Sequence, residues 1–237
     1  MARILYDLYG RDEQLRFSPY CWRVRMALAH KGLDVELKPW RFQQKDAIAF
    51  ANTDKVPVLC DGDQVVADSF AIMSYLDDAY PDTPAVLGSG ISYQRALLFC
   101  HFVDRQVAPA LFRIVALDLL AAIHPDDRDY FRATREARFG CTLEEFHSPE
   151  QGQALVHKAL APVREVLRTS PFLDGETPSG ADYQLFGSVM WANIVSRQAP
   201  VIDEPVISDW FKRLCAAHNG LGNQALTVRD LGDEQIA

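Results

Sequence analysis

The pattern of hydrophobic and polar positions changes its period near residue 82. Before that point, short apolar runs typical of strands alternate with segments of helical period. We predict strands at Arg3–Leu8, Val35–Pro39, Pro57–Cys60 and Val65–Ala67, and helices at Pro19–Lys31, Lys45–Phe50 and Ser69–Tyr80. The sequence Asp61-Gly62-Asp63 is a hairpin turn signal between the last two strands. This order, strand–helix–strand, a linking helix, then a hairpin and a helix, predicts an α/β sheet covered by helices.

The pattern after residue 90 is helical throughout. Pro81-Asp82-Thr83-Pro84 and the turn formers up to Gly90 indicate a linker. We predict helical stretches at about Ile91–Ala121, Asp126–Phe146, Gln151–Thr169, Gly180–Ser196 and Ile207–Asn219. Pro109 should kink or split the first of these stretches. The prediction is therefore two domains, an α/β domain at residues 1–82 and an all-helical domain at residues 91–237.

Composition narrows the function classes. The chain has 237 residues, and its net charge of −8 argues against binding nucleic acid through a broad basic surface. No apolar run approaches the ~20 residues of a membrane span, and no signal peptide is visible. Five scattered cysteines without a C-x-x-C pair favour reduced thiols over disulfides or a metal site. We therefore expect a cytoplasmic protein without a bound metal.

The start of the first predicted helix is a candidate anion site. Ser18 is a good N-cap, Pro19 suits the first helical position, and Gly32 suits the helix end. A polar side chain at this point lies beside free backbone N–H groups and the positive end of the helix dipole. The interpretation that Ser18 is only a helix cap is the simpler one, and a thiolate is one anion that the site could hold.

Three motifs together resemble the cytosolic glutathione transferase family over nearly the whole chain. The first is Ser18-Pro19-Tyr20-Cys21-Trp22-Arg23-Val24-Arg25, which is similar to the zeta-class helix and more similar to the serine-type bacterial branch of the β-etherases. The second is Lys55-Val56-Pro57-Val58-Leu59, and the third is Asp68-Ser69. The resemblance implies a thioredoxin-like N-terminal domain followed by an all-helical C-terminal domain.

The resemblance also implies roles for individual residues. Ser18 would be catalytic and would stabilise the glutathione thiolate, whereas Lys55, Val56, Pro57, Asp68 and Ser69 would bind the rest of glutathione. The bond before Pro57 is expected to be cis, and the backbone of Val56 is expected to pair with the peptide. The glycine carboxylate of glutathione needs a cation, and the sequence leaves Lys55, Lys45 and Arg41 as candidates.

The expected reaction is attack of the glutathione thiolate on an electrophilic small molecule, and the expected substrates are β-aryl ethers or other aromatic compounds. Two alternatives stay open, a cis-trans isomerase of the maleylacetoacetate type and an inactive glutathione-binding module. The acceptor pocket is expected near Tyr9, Phe102 and Arg105, with His101 and Tyr130 nearby. The family commonly pairs, so we expect a homodimer.

One local signal in the helical part concerns folding. Ser179-Gly180-Ala181-Asp182 is a capping-box-like helix start, followed by an apolar run. We interpret Ser179 and Asp182 as residues that stabilise this helix, not as residues that carry chemistry.

Overall fold

The structure, a computed structural model, describes residues 3–231, so the ends of both predicted domains at residues 1–2 and 232–237 lie outside it. One four-stranded sheet has the strand order β2-β1-β3-β4. The strands are β1 (Arg3–Leu8), β2 (Glu36–Trp40), β3 (Val58–Asp61) and β4 (Gln64–Ala67). β1 is parallel to β2 and antiparallel to β3, and β3 is antiparallel to β4. This is the predicted mixed α/β sheet.

Helices cover the sheet as the sequence pattern predicted. They are α1 (Pro19–His30), a 3₁₀ segment (Lys45–Ala51) and α2 (Ser69–Ala79). The apolar residues of α1 and α2 pack against strand residues such as Leu5 and Leu59, both of which are fully buried. Burial of these apolar side chains is the main force that holds helices to a sheet. The sequence-predicted strands and helices of this part agree with the structure to within about two residues.

The second part is helical, but its helices are shorter than the sequence predicted. They are α3 (Ile91–Phe102), α4 (Ala108–Ala122), α5 (Arg128–Phe139), α6 (Leu143–Phe146), α7 (Pro149–Ala159), α8 (Ala161–Leu167), α9 (Gly180–Val195) and α10 (Pro205–Gly220). Within α10, residues 217–219 leave the helical conformation. None of the helices of residues 3–231 combines the length and apolar character needed to cross a membrane.

Three of the predicted long helices are interrupted. The first breaks at a π-helical turn, Val103–Val107, which lies just before the predicted break at Pro109. The second ends where Gly140 takes a left-handed conformation with φ +70°. The third breaks after Ala159, because Pro162 in the next turn has no N–H to continue the ladder.

Helix α9 holds the two parts of the chain together by packing. Almost every residue of α9 is buried, and α9 packs closely against α1. A Cβ atom at Gly187 would overlap the carbonyl oxygen of Pro19, so only glycine allows this approach. Arg23 of α1, 1% exposed, makes an ion pair of 2.6 Å with Asp104 of the π-helical turn. The N-terminus of α1 is therefore fixed by contacts with the helical part.

Candidate active site

Sheet topology brings the predicted motifs to one end of the sheet. β3 is antiparallel to both of its neighbours, so its first residue, Val58, lies beside the last residue of β4, Ala67. The segments that follow β1, precede β3 and follow β4 therefore meet there. These segments carry Ser18, Val56 and Asp68.

Ser18 is the N-cap of α1 and lines a cavity at this end of the sheet. Its Oγ accepts a hydrogen bond from the N–H of Cys21 at 3.2 Å, which leaves the hydroxyl hydrogen able to donate. Trp22 N–H bonds to the Ser18 carbonyl, and Pro19 has no N–H. Within residues 3–231, the N–H of Tyr20 has no hydrogen-bond acceptor. Two donors, the Ser18 hydroxyl and the Tyr20 N–H, are thus available to an anion here.

The neighbouring cysteine is not a competing nucleophile. Cys21 is fully buried, and burial raises the pKa of its thiol well above the ordinary value, with the carboxylate of Asp7 adding to the effect. Asp7 is itself 1% exposed, and burial raises the pKa of its carboxyl although Arg25 lies 3.8 Å away. A protonated, inaccessible thiol neither attacks a substrate nor binds a metal. Of Ser18 and Cys21, it is Ser18 that lines the cavity.

The segment before β3 presents free backbone groups to the same cavity. The Val56–Pro57 peptide bond is cis, as the resemblance predicted. Lys55 and Val56 line the cavity, and Pro57 is buried behind them. Among the described residues, no hydrogen bond uses the N–H or the C=O of Val56. These two groups are therefore available to pair with an extended peptide, in the manner of an added strand.

Asp68 and Ser69 lie at the start of α2 and outside the lining of the cavity. Asp68 has φ +78°, a conformation that is uncommon for a residue other than glycine. Its Oδ1 accepts the N–H groups of Phe70 and Ala71 at 2.9 and 3.0 Å, so it caps α2. Ser69 is 2% exposed. A backbone held in this unusual conformation at a helix start agrees with a binding role, because such conformations cluster at ligand sites.

The three candidate cations differ in how they are already paired. Arg41 makes a 2.8 Å ion pair with Asp126 and also contacts His124. Lys45 lies 3.4 Å from Asp54. Lys55 has no carboxylate partner among residues 3–231, and it lines the cavity. The structure therefore favours Lys55 as the cation that is free to bind a carboxylate.

The cavity continues from Ser18 into the helical part and has a volume of about 360 Å³. Nearly half of its lining residues are aromatic, with Trp40, Phe42, Phe112, Tyr130, Phe139 and Trp191 among them. Tyr130, one of the nearby residues that the sequence suggested, lines the cavity. This apolar, aromatic space adjoins the Ser18 hydroxyl and suits a flat, apolar molecule.

Three predicted acceptor residues, Tyr9, Phe102 and Arg105, are not among the lining residues of the cavity within residues 3–231. The ring of Tyr9 packs edge-on against His124. Phe102 packs on Phe99 with ring centroids 5.6 Å apart, and Arg105 is exposed. Arg105 lies within the π-helical turn, whose wider winding changes the direction of its side chains relative to a regular α-helix. The sequence predicted a break at Pro109 and not a π-helical turn before it.

Sequence reasoning missed most of the cavity wall. Arg135 and Arg138 of α5 line the cavity beside Phe131 and Phe139. Their spacing along one helix places these four side chains on one face, so the pattern contained this signal. Asp104 also lines the cavity, and its carboxylate is engaged by Arg23. Further wall residues come from α4, α6 and α9 and from the α/β part, which only tertiary packing brings together.

Comparisons with known proteins agree with this architecture. Residues 14–84 match the family model "Glutathione S-transferase, N-terminal domain", and residues 96–216 match "Glutathione S-transferase, C-terminal domain". The curated protein Glutathione S-transferase Z2 of Arabidopsis thaliana is 37% identical over 103 residues, which cover 38% of this chain and 45% of that protein. The match to Glutathione S-transferase Z1 of the same plant covers 38% of that protein. The matched segments thus span less than half of these curated relatives.

Solved structures are similar over almost the full chain. Glutathione transferase GSTFuA2 from Phanerochaete chrysosporium is 26% identical with a TM-score of 0.77, covering 100% of this chain and 99% of that one. The glutathione S-transferase CsGST63524 of Ceriporiopsis subvermispora, solved in complex with glutathione, is 21% identical with a TM-score of 0.77, covering 92% of this chain and 97% of that one. The second likeness concerns the fold alone.

Proposed function

The chain belongs to the glutathione S-transferase family, and on that premise we propose that it activates the thiolate of glutathione through Ser18 for attack on an electrophilic small molecule. The single observation that carries this proposal is the position of Ser18. Its hydroxyl lines the cavity at the N-terminus of α1 while its oxygen already accepts the Cys21 N–H. The hydroxyl hydrogen is therefore left for an anion in the cavity.

The energetics of thiolate stabilisation support this role. Lowering the pKa of a thiol from ~8.5 to ~6.5 requires roughly 2.7 kcal/mol of preference for the thiolate. A hydrogen bond to a charged group supplies ~1.5–3 kcal/mol. A helix N-terminus, here with the free N–H of Tyr20, adds ~0.3–1 kcal/mol. These two contributions suffice without a general base.

The donors and acceptors around the sheet end fit the other parts of glutathione. The free N–H and C=O of Val56 would pair with the cysteinyl backbone of glutathione, and Pro57 fixes the segment that carries Val56. Asp68 would accept the γ-glutamyl ammonium, and Ser69, at the first turn of α2, would bind the γ-glutamyl carboxylate. Lys55 would bind the glycine carboxylate. These five residues have the chemistry that a zwitterionic peptide requires.

The proposed reaction is a substitution at carbon. The thiolate sulfur forms a bond to the electrophilic carbon, and the bond from that carbon to its leaving group breaks. The leaving group departs with the electron pair, and the thiol proton goes to solvent when glutathione binds. β-Aryl ethers are the proposed substrates within this class, since the aromatic cavity suits them and Ser18-Pro19-Tyr20 resembles the serine-type branch. Cis-trans isomerisation and silent binding are the alternatives.

The remaining expectations from the sequence are part of the same proposal. We place the division between domains at residues 82–91, and we propose a homodimer in the cytoplasm. Analytical ultracentrifugation of the purified chain tests the dimer, and a single species of monomer mass would contradict it.

The experiment that tests the function is a comparison of wild type and Ser18→Ala with chlorodinitrobenzene and glutathione, followed by lignin-type aryl ethers and maleylacetone. We expect wild type to release the leaving group in a glutathione-dependent reaction, and the variant to be about 10–100-fold slower, as loss of a charged hydrogen bond predicts. Full activity in the variant would mean that Ser18 acts only as the N-cap of α1. Reaction with maleylacetone alone would favour the isomerase, and no reaction with bound glutathione would favour the silent module.

A further inference from the structure

Two arginines of α5 line the cavity without a carboxylate partner. Arg135 and Arg138 are three residues apart on one face of the helix, so their guanidinium groups share one region of the wall. Among residues 3–231, neither forms an ion pair. The whole chain carries a net charge of −8. This pair of arginines without carboxylate partners therefore gives the cavity wall a local positive charge in a chain whose net charge is negative.

A third arginine on the same helix, by contrast, has carboxylate partners. Arg132 makes ion pairs of 2.8 Å with both Glu136 and Glu144, and it does not line the cavity within the described residues. The cavity does contain two carboxylates, Asp104 and Asp54, but they are engaged. Asp104 pairs with Arg23 and Asp54 with Lys45. The free positive charge of this wall is thus not cancelled by its neighbours.

Arg135 is held in a fixed position. Its guanidinium lies 4.5 Å from the ring centroid of Phe131 and 5.7 Å from that of Phe42, and Nη1 donates to Thr134. Burial, and then the charge of Arg138, lower the pKa of Arg135. Placing two like charges together costs free energy that an anion between them would offset. A guanidinium stacked on aromatic rings is also well placed for planar, bidentate binding of a carboxylate.

We propose, resting on the transferase function proposed above, that the acceptor is an aromatic electrophile that carries an anionic group, a carboxylate or a similar oxyanion, bound by Arg135 and Arg138. The aromatic walls receive the ring, and the two guanidinium groups bind the anion at the α5 side of the cavity. The electrophilic carbon then faces the Ser18 end, where the thiolate is held. The pair of arginines selects acidic acceptors over neutral ones of the same shape.

The test compares two electrophiles of equal size, a chlorodinitrobenzoate and its neutral amide. In wild type we expect a higher kcat/KM for the benzoate. In Arg135→Gln and in Arg138→Gln the ratio of benzoate to amide should fall about 10–100-fold, the range that hydrogen bonds to a charged group support. Activity with the amide should fall less than activity with the benzoate, because the amide lacks the charge that the guanidinium groups bind. Arg135→Lys, which keeps the charge but not the fork, should retain part of the preference.

The matched control is Arg132→Gln on the same helix, which should leave the ratio unchanged. Thermal unfolding of each variant checks that α5 is intact, and the exposed position of Arg138 makes its variant safe for folding. The proposal is overturned if the ratio stays at the wild-type value in both cavity variants. It is also overturned if affinity for S-methylglutathione falls while the ratio does not, because the arginines would then belong to the glutathione site.

A second readout separates this inference from the proposed function. Trp40 and Trp191 line the cavity, so bound nitroaromatics should quench their fluorescence. Unreactive dinitrobenzoate should bind wild type more tightly than dinitrobenzamide, and the difference should disappear in Arg135→Gln. This result without any turnover would support the anion site and reject the transferase function. Turnover of the neutral amide, with no preference for the charged compound in either assay, would support the transferase function and reject the anion site.

Discussion

Replacement of Asp182 by alanine should destabilise the protein without changing the glutathione site. Asp182 is fully buried at the start of α9, where Ser179 and Asp182 form the predicted capping box. Its Oδ1 accepts the indole N–H of Trp210 at 2.8 Å and the N–H of Leu173 at 3.0 Å, and its Oδ2 accepts the N–H of Ser179 at 3.1 Å. One carboxylate therefore connects α9, α10 and the loop before them.

The magnitude follows from these three donors. A buried donor that loses its acceptor costs about 1–3 kcal/mol, and Trp210, fully buried, cannot reach water instead. Leu173 and Ser179 are partly exposed and recover some hydration. Burial raises the pKa of Asp182 to about 6, so keeping this carboxylate charged at neutral pH costs about 3 kcal/mol. The alanine variant loses the three hydrogen bonds but avoids the cost of the buried charge. We therefore expect its free energy of unfolding to be lower than that of wild type by about 2 kcal/mol at pH 7.

The same pKa gives the effect of pH a definite sign. The folded-state pKa of Asp182 lies above its ordinary value, so its contribution to stability is fully present below that ordinary value and is lost as pH rises through about 6. The difference between wild type and Asp182→Ala should therefore be larger at pH 5 than at pH 7. Other titrating groups are common to both proteins and cancel in this difference.

Urea unfolding of both proteins at pH 5 and pH 7 measures these free energies, with calorimetry of S-methylglutathione on the folded variant. Asp209→Ala, at an exposed carboxylate of α10, is the control and should change the free energy of unfolding by less than about 0.5 kcal/mol. A difference that grows with pH would refute the reasoning. A wild-type unfolding curve with weakened S-methylglutathione binding would instead make Asp182 a functional residue.

Three further predictions concern the glutathione site and the contact between the two parts. Asp68→Ala should raise the Kd for S-methylglutathione, measured by calorimetry, with a smaller change in kcat; unchanged affinity would remove Asp68 from the site. Gly187→Ala should lower both kcat and Tm, because the new Cβ displaces Pro19 and the start of α1; a wild-type Tm would contradict the packing. His30 and His218 share one buried tyrosine hydroxyl, and burial lowers both pKa values. The contribution of these two histidines to stability should therefore fall as pH drops below about 6.5, and His218→Gln should lose less of it. Urea unfolding of both proteins against pH measures this difference, and a difference that does not change with pH would count against it.

The first third of the fold was predictable because its signals are local. Ser18 and Pro19 define the start of α1, and Asp61-Gly62-Asp63 defines the hairpin, so the order of elements follows from short segments. The interruptions of the long helices were less predictable. The π-helical turn at Val103–Val107 carries Asp104, which pairs with Arg23 of α1, and no residue of the turn indicates it by itself.

The candidate site divides in the same way. The groups proposed to bind glutathione lie in three short segments that the sheet topology collects, so a sequence motif identifies them together. The helical side of the acceptor cavity includes residues of α4, α5 and α9, and which of their faces meet depends on crossing geometry. Tyr9, Phe102 and Arg105 were chosen by their position along the chain. The helical spacing places Arg135 and Arg138 on one face, but only the packed structure shows that this face lines the cavity.

The pKa of bound glutathione tests the central claim most directly. Thiolate absorbance in the ultraviolet, followed against pH with saturating glutathione, should titrate near ~6.5 in wild type and move toward the ~8.5 of a free thiol in Ser18→Ala. Thr142→Ala, which removes a capping hydroxyl at α6, is the control for general loss of a helix cap and should keep the wild-type value. A Ser18→Ala protein that binds glutathione and still titrates near ~6.5 would contradict the account.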